Sequence, residues 1–228
     1  MPFPEYRARA IFQRMNLKKA LPVILIVLGT AHTSLTAQTL GQFAGASAAA
    51  DGEGSVFMLA GNEAFRTGVG ARFNISRVSD FGLQLGLDRS CGESFFGGGM
   101  DVKIVILERT PRLPMNIALD AALGGLTSDA AGRLIFDFGI LASGQIAAGA
   151  GRTIEPYCSL IARIEEIDVK SGSAELTDCL CSGSNDETDA RALVRVGVKI
   201  PVSNDAQLLI EADFDRPFLF GAGINIIF

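Results

Sequence analysis

The last eleven residues of the chain, 218–228, alternate between side chains that could face lipid and side chains that are mostly small or polar. The even positions hold Phe218, Phe220, Ala222, Ile224, Ile226 and Phe228, and the odd positions include Gly221, Gly223 and Asn225. A period of two indicates a β-strand, because successive side chains of a strand point to opposite faces. A tilted strand of about 9–11 residues is long enough to cross the hydrocarbon core of a bilayer. The pattern therefore predicts a membrane-spanning strand that ends on an aromatic residue.

This segment resembles the closing strand of bacterial outer-membrane β-barrels, in which a final amphipathic strand ending on Phe is the recognition signal for the insertion machinery. The resemblance implies an assembly signal made by Phe220, Ile224, Ile226 and Phe228. It also implies that the protein lies in the outer membrane of a Gram-negative-type bacterium, with lipid and the insertion machinery as partners. It covers architecture and targeting only, and implies nothing about what the barrel does.

The amino-terminal residues are typical of a signal peptide. Residues 15–20 form a short basic region, residues 21–29 form an apolar run, and small residues precede a cleavage point before Gln38. We expect translation to start at Met15, because the preceding segment is unusually long and basic. An uncleaved anchor is the alternative, but a membrane helix needs about 20 apolar residues. We therefore expect export and removal of residues 1–37.

The predicted mature chain is strongly acidic. Removing residues 1–37 takes five basic residues and one acid from the 20 Lys and Arg and the 25 Asp and Glu of the chain, which leaves a net charge of −9. Nucleic-acid binding needs a basic surface, so this charge argues against it. The sequence predicts a flexible, Gly- and Ala-rich linker over residues 38–54, followed by a single β-barrel domain over residues 55–228.

The barrel domain has the pattern of an all-β, antiparallel, up-and-down transmembrane β-barrel. Ten candidate strands are 55–61, 66–77, 80–89, 97–108, 114–126, 132–147, 154–169, 190–201, 206–214 and 217–228. Tight turns are predicted at 78–80, 111–113 and 203–205, and longer outward connections at 90–96, 127–131 and 170–189. Eight strands remain an alternative, because 55–61 is apolar on both faces, and bacterial single-chain barrels have even strand numbers.

Charged residues separate from apolar ones along the candidate strands. One parity is apolar, and the other holds a predicted lumen charge network of six bases and six acids: Arg72, Asp88, Lys103, Asp120, Arg133, Asp137, Arg163, Glu165, Arg195, Lys199, Glu211 and Asp213. An Arg or Lys facing lipid at the midplane would cost about 2–4 kcal/mol, so a bilayer favours this separation. A soluble, lipocalin-like barrel would show the same parity with an apolar interior.

Little in the sequence points to catalysis. The only histidine, His32, lies in the predicted signal peptide, so the mature chain lacks the imidazole that a Ser-His-Asp triad or a typical zinc site requires. The carboxylate pairs Glu165/Glu166 and Glu211/Asp213 are interpreted as partners of lumen bases, because buried charge must be paired. We expect no enzyme activity, no cofactor and no metal.

The cysteines are expected to lie in an oxidising compartment, where thiols pair. A disulfide from Cys91 to Cys179 or Cys181 would tie two outward loops together, while Cys158 lies near the other rim. Metal binding by Cys179 and Cys181 with neighbouring acids is a less favoured alternative. The segment 170–189 is the longest polar interruption and the predicted site of surface recognition.

Three functions remain open at this point. The first is a small integral outer-membrane barrel with a structural or surface-binding role and a lumen filled by charged side chains. The second is a narrow pore for small solutes, with selectivity set by the same charges. The third is a secreted soluble β-barrel that binds an apolar ligand inside. The sequence identifies no ligand or solute.

Overall fold

A computed structural model describes residues 45–47, 52–62, 64–149, 152–169, 188–215 and 218–228. The predicted signal peptide, most of the linker and residues 170–187 lie outside the described residues. The described strands are β1 (Glu53–Gly61), β2 (Ala64–Ser76), β3 (Ser79–Ser90), β4 (Glu93–Leu107), β5 (Met115–Thr127), β6 (Ala131–Gly144), β7 (Ile146–Ala147), β8 (Thr153–Val169), β9 (Thr188–Pro201), β10 (Ala206–Phe214) and β11 (Leu219–Ile227). The fold is all-β, as predicted.

Ten of these strands form a closed antiparallel barrel, and the two-residue β7 pairs only with the start of β8. Neighbours in sequence pair with each other, β6 pairs with β8, and β1 pairs with β11 from Glu53↔Ile227 to Gly61↔Leu219. Closure gives every strand of the ring two partners, so the wall leaves no free edge among the described strands. The ten-strand prediction is confirmed, and the eight-strand alternative is wrong.

The two ends of the barrel differ in their connections. We call the end where β1 begins and β11 ends the lower end, and the opposite end the upper end. Lower-end connections span 77–78, 108–114, 145–152 and 202–205, and upper-end connections span 62–63, 91–92, 128–130, 170–187 and 215–218. The prediction of short turns at one end and longer loops at the other is therefore wrong for several connections.

The β3–β4 connection is the clearest of these differences. Residues 90–96 were predicted as a longer outward segment, but the strands are joined by Cys91 and Gly92 alone. Both residues have positive φ, 56° for Cys91 and 77° for Gly92. Positive φ at both central residues is the geometry of a type I′ hairpin, whose twist matches that of the flanking strands. Glu93 and the residues after it can therefore continue directly as β4.

A second difference is at the β2–β3 turn. Residues 78–80 were predicted as the turn, but the turn is Arg77–Val78, and Ser79 and Asp80 begin β3. Asp80 is fully buried.

At the amino-terminal side, β1 begins at Glu53 rather than at residue 55, and residues 45–47 of the predicted linker lie against the barrel interior, with Ala46 fully buried.

The outer and inner faces of the barrel have opposite character. Every strand of the ring exposes large apolar side chains outward, among them Val56 on β1, Leu85 on β3, Phe138 on β6 and Ile224 on β11. The inner face combines apolar clusters with many buried charges. The soluble alternative predicted an apolar interior, whereas the structure places many charged side chains there beside the apolar clusters. Among the described residues, no helix is long and apolar enough to cross a membrane.

Candidate functional site

The interior of the barrel holds the residues of the predicted charge network. All twelve are buried, with exposed fractions from 0% at Asp213 to 9% at Asp120. They alternate with outward apolar residues along the strands, because side chains of a strand point to opposite faces. They form two groups, one toward the upper end and one toward the lower end.

The upper group is centred on Asp88 of β3. Its carboxylate lies 2.9 Å from Nε of Arg66 on the neighbouring β2 and 3.6 Å from Nη1 of Arg133 on β6. In the ring, β3 and β6 are separated by β4 and β5. The Asp88–Arg133 pair therefore reaches across the lumen instead of running along the wall.

A second link crosses the lumen on the other side. Nη1 of Arg66 lies 4.0 Å from Oδ2 of Asp213 on β10, and β2 is separated from β10 by β1 and β11. Arg195 on β9 continues the chain of contacts, 3.2 Å from Asp213 and 3.3 Å from Glu211. The hydroxyl of Tyr157 donates a 2.7 Å hydrogen bond to Glu211.

The remaining upper contacts run along β6, β8 and β9. Glu165 binds both Arg133 and Arg191, the latter at 2.8 Å. Nε of Arg191 lies 3.0 Å from Asp215, and Arg163 lies 3.5 Å from the same carboxylate. Arg163 also makes a two-pronged pair with Asp137 on β6, with hydrogen bonds of 2.8 and 2.7 Å. The upper group is thus one connected network from Asp137 to Tyr157.

The lower group contains Arg72, Lys103 and three acids. Arg72 on β2 binds Asp80 and lies 2.6 Å from Asp101 on β4. Nζ of Lys103 lies 3.1 Å from Asp80, and Lys103 faces Asp120 in register across β4 and β5. Oδ1 of Asp120 makes no hydrogen bond among the described residues. The wall here is lined by charge of both signs.

Polar residues at the seam between the first and last strands complete the lower interior. Nδ2 of Asn225 donates to Glu53 at 3.0 Å and to Gln207 at 3.4 Å, and Nζ of Lys199 lies 4.0 Å from Glu53. A polar pocket of about 20 Å³ lies beside them, lined in part by Arg72 and Gln84. That volume is enough for about one water molecule.

Sequence reasoning missed several interior polar residues. They are Glu53, Arg66, Asp80, Gln84, Asp101, Arg191 and Asp215. Arg66 and Asp101 share the parity of Arg72 and Lys103, so parity alone could have found them. Asp215 continues the parity of Glu211 and Asp213, but it lies one position beyond the predicted strand 206–214.

The described residues include two of the four cysteines, and these two differ in state. Cys91, in the upper β3–β4 turn, takes part in a disulfide. Cys158 is a free thiol exposed on the outer face of β8. Cys179 and Cys181 lie outside the described residues, so the predicted pairing stays a prediction. No cluster of three or more metal-binding side chains occurs in the described ranges.

The predicted assembly signal lies on the outer face of β11 and just beyond it. Phe220, Ile224 and Ile226 are each more than half exposed, and Phe228 is 69% exposed. The amide of Phe228 donates a 2.9 Å hydrogen bond to the carbonyl of Gly52, next to β1. These side chains are placed where lipid or another protein would meet them.

The closed ring, the apolar outer face and the ion-paired interior define a transmembrane β-barrel of the outer-membrane type. No protein-family model and no curated protein matches the chain. Solved structures similar to it include the β domain of the Bordetella autotransporter BrkA, at 12% identity, covering 78% of this chain and 99% of that one, with a TM-score of 0.41.

Two other similar structures are bacterial barrels. Neisserial surface protein A is 11% identical, with coverage of 78% and 95% and a TM-score of 0.33. The Acinetobacter baumannii outer-membrane protein Omp33 is 8% identical, with coverage of 78% and 98% and a TM-score of 0.36. At these identities and TM-scores the likenesses carry no argument about function, and the fold class rests on the hydrogen-bonded ring and its two faces.

Proposed function

We propose that the protein is an integral outer-membrane barrel with a sealed lumen and a structural or surface-binding role. Export by the predicted signal peptide and insertion through the closing strand would place the lower end in the periplasm and the upper end at the cell surface. The apolar outer face supports a lipid environment, because exposed apolar surface of this extent is unfavourable in water.

The observation that carries the proposal is the pair of contacts that cross the lumen, Arg133–Asp88 and Arg66–Asp213. Both belong to the connected upper network, so the barrel is bridged at that level in two directions. A solute would have to separate charges that are buried and paired. Breaking a buried ion pair by removing one partner costs about 3–5 kcal/mol, so the bridged state is expected to dominate.

Barrel size favours the same conclusion. Barrels of about eight strands have an interior that side chains can fill, whereas those of sixteen or more leave an aqueous channel. The described interior adds apolar side chains to the charged ones, including Phe95, Leu126 and Ile135 near the upper end. The guanidinium of Arg133 lies 5.4 Å from the centre of the Phe95 ring, a cation–π contact that helps to fix it.

Planar-bilayer recording of the purified protein tests the proposal. We expect no stable conductance steps from the unaltered protein. The double variant Arg66→Ala/Arg133→Ala removes both bases that reach across the lumen and should show openings. Arg77→Ala is the matched control, because the Arg77 side chain is 87% exposed at the lower end. Stable steps from the unaltered protein would favour the narrow-pore alternative instead.

Membrane placement has a separate test. After cell fractionation and a carbonate wash, an integral barrel should remain in the outer-membrane fraction. Release by the wash would contradict the proposed localisation, whatever the conductance result.

We also propose that the protein is not an enzyme, since the interior carboxylates Glu165, Glu211 and Asp213 are engaged by arginines instead of facing a cleft. Recognition, where it occurs, is proposed for the upper-end connections.

A further inference from the structure

Residues Gly45–Ser47, which precede β1, lie inside the lower mouth of the lumen. Ala46 is fully buried and packs with Val105, Ala118 and Leu141, which belong to the lower parts of β4, β5 and β6. The segment thus contacts three strands of the wall. A flexible linker, as the Gly- and Ala-rich composition predicted, would not keep such contacts.

The buried ammonium group of Lys103 holds this segment. Nζ of Lys103 donates to the carbonyl of Gly45 at 2.9 Å and to the carbonyl of Ser47 at 2.8 Å. Its third interaction is with Asp80 at 3.1 Å. An ammonium group has three donors, and these three acceptors satisfy all of them. Two of the three come from the segment, so its departure would leave a buried charge under-bonded.

Two further hydrogen bonds fix the segment on the other side. The amide of Ala46 donates to Oγ of Ser143 at 3.1 Å, and Oγ of Ser47 donates to Oε1 of Glu155 at 2.6 Å. Ser143 lies on β6 and Glu155 on β8, two strands that pair directly with each other in the ring. The segment is therefore held from β4 on one side and from β6 and β8 on the other.

The site leaves little room for larger side chains at Gly45 and Ala46. A methyl group built on Gly45 would clash with the carboxylate of Glu155 and would lie 3.6 Å from Oγ of Ser143. Ala46 has no exposed surface left into which a longer side chain could extend. The Gly-Ala-Ser sequence suits this site. Its only polar side-chain group is the hydroxyl of Ser47, and that hydroxyl is hydrogen-bonded to Glu155.

We propose that the lower mouth is a binding site for a bent small-residue peptide, occupied by residues 45–47 of the chain itself, which act as a stopper. Lys103 is the latch, because it binds two backbone carbonyls of the segment at once. This stopper is separate from the upper ion-pair network. It gives the residues before β1 a function at the periplasmic side, and it does not depend on whether the barrel conducts.

Limited proteolysis of the full-length purified protein in detergent tests the site. Proteinase K should trim the unaltered protein only up to a point before residue 45, read by intact mass. In Lys103→Met, which keeps an apolar stem of similar length and removes the latch, trimming should extend past residue 47 toward β1. Lys199→Met is the matched control, because Lys199 is also a buried lumen lysine but interacts with Glu53. It should give the same trimmed mass as the unaltered protein.

A second variant covers failure of Lys103→Met to fold, which gel mobility with and without heating will show. Ala46→Asp places a charge into the apolar contact with Val105 and Leu141 while leaving every barrel residue unchanged. It should fold normally and be trimmed past residue 47. Trimming past residue 47 in the unaltered protein, or identical masses for the unaltered protein, Ala46→Asp and any folded Lys103→Met, would overturn the proposal.

Discussion

Arg72 and Asp101 form a 2.6 Å ion pair directly over Gly82, which is the register partner of both residues on the strand between them. The same arrangement recurs at Tyr157 and Glu211, which meet over Gly197. In each case the interacting side chains start on strands that are not neighbours. A glycine on the intervening strand lets them meet, because it has no side chain in the space that they share.

Gly82→Ala should therefore be strongly destabilising. A methyl group there would lie 2.9 Å from Nη2 of Arg72 and closer still to Oδ1 of Asp101. Disrupting a buried pair costs about 3–5 kcal/mol, which urea titration in detergent would detect as a lower midpoint. Gly132→Ala is the control, because no described atom beyond its chain neighbours lies within 4 Å of the added methyl group. It should be neutral or stabilise by up to about 1 kcal/mol. Equal midpoints for the two variants would contradict the role of Gly82.

Arg195→Glu should destabilise the barrel far more than Val196→Leu. Arg195 is buried between Glu211 and Asp213, so the reversal would bring three acids together and cost at least about 3–5 kcal/mol. Val196 faces outward and is 38% exposed, and exchange of one apolar residue for another costs under about 1.5 kcal/mol. Urea midpoints in detergent provide the comparison. If the two variants unfold at the same urea concentration, the inner and outer faces are wrongly assigned.

Deleting Phe228 should leave unfolded precursor in the periplasm. The exposed ring is a component of the predicted assembly signal, and the amide that is lost bonds to Gly52. The amount of the heat-modifiable folded form in outer membranes is the measurement. Phe228→Tyr keeps a terminal aromatic ring and should assemble normally. A normal amount of the folded form after the deletion would count heavily against an assembly role.

An epitope inserted after Ser184 should be reachable by antibody on intact cells. Ser184 is outside the described residues, and the order of β8 and β9 in the chain predicts that it belongs to an upper-end connection. The same epitope inserted after Asn204, in the lower-end turn between β9 and β10, should be labelled only after the outer membrane is permeabilised. The reverse pattern would invert the proposed orientation and would remove the upper end from the cell surface.

The sequence predicted those features that depend on local periodicity. Parity along single strands assigned Arg195 inward and Val196 outward, and the two side chains are 3% and 38% exposed. The sequence prediction failed where the local residues are typical of a different structure. Asp80 follows Val78 and Ser79 in a stretch typical of a turn, yet it begins β3 and is buried against Arg72 and Lys103. Turn-forming residues also occur at the ends of strands, so composition does not fix where a strand starts.

Contacts between distant strands had no sequence signal. Arg66 and Asp213 meet only because the ring closes and its strands tilt, and neither condition can be read from a single strand. The docking of Gly45–Ser47 was also beyond sequence reasoning, because small residues without periodicity are compatible with a mobile linker. What fixes that segment is Lys103, more than fifty positions later in the chain.

The pairing of β1 with β11 closes the barrel, and without it the strands form only an open sheet. Its contacts join residues separated by most of the described chain, such as Glu53 and Asn225, 172 positions apart, so they carry the largest loop-closure cost of the fold. Hairpins between consecutive strands can form earlier, but they leave an open sheet with two unpaired rows of backbone groups. Truncation within β11 would therefore yield a sheet prone to stick to other chains, instead of a slightly narrower barrel.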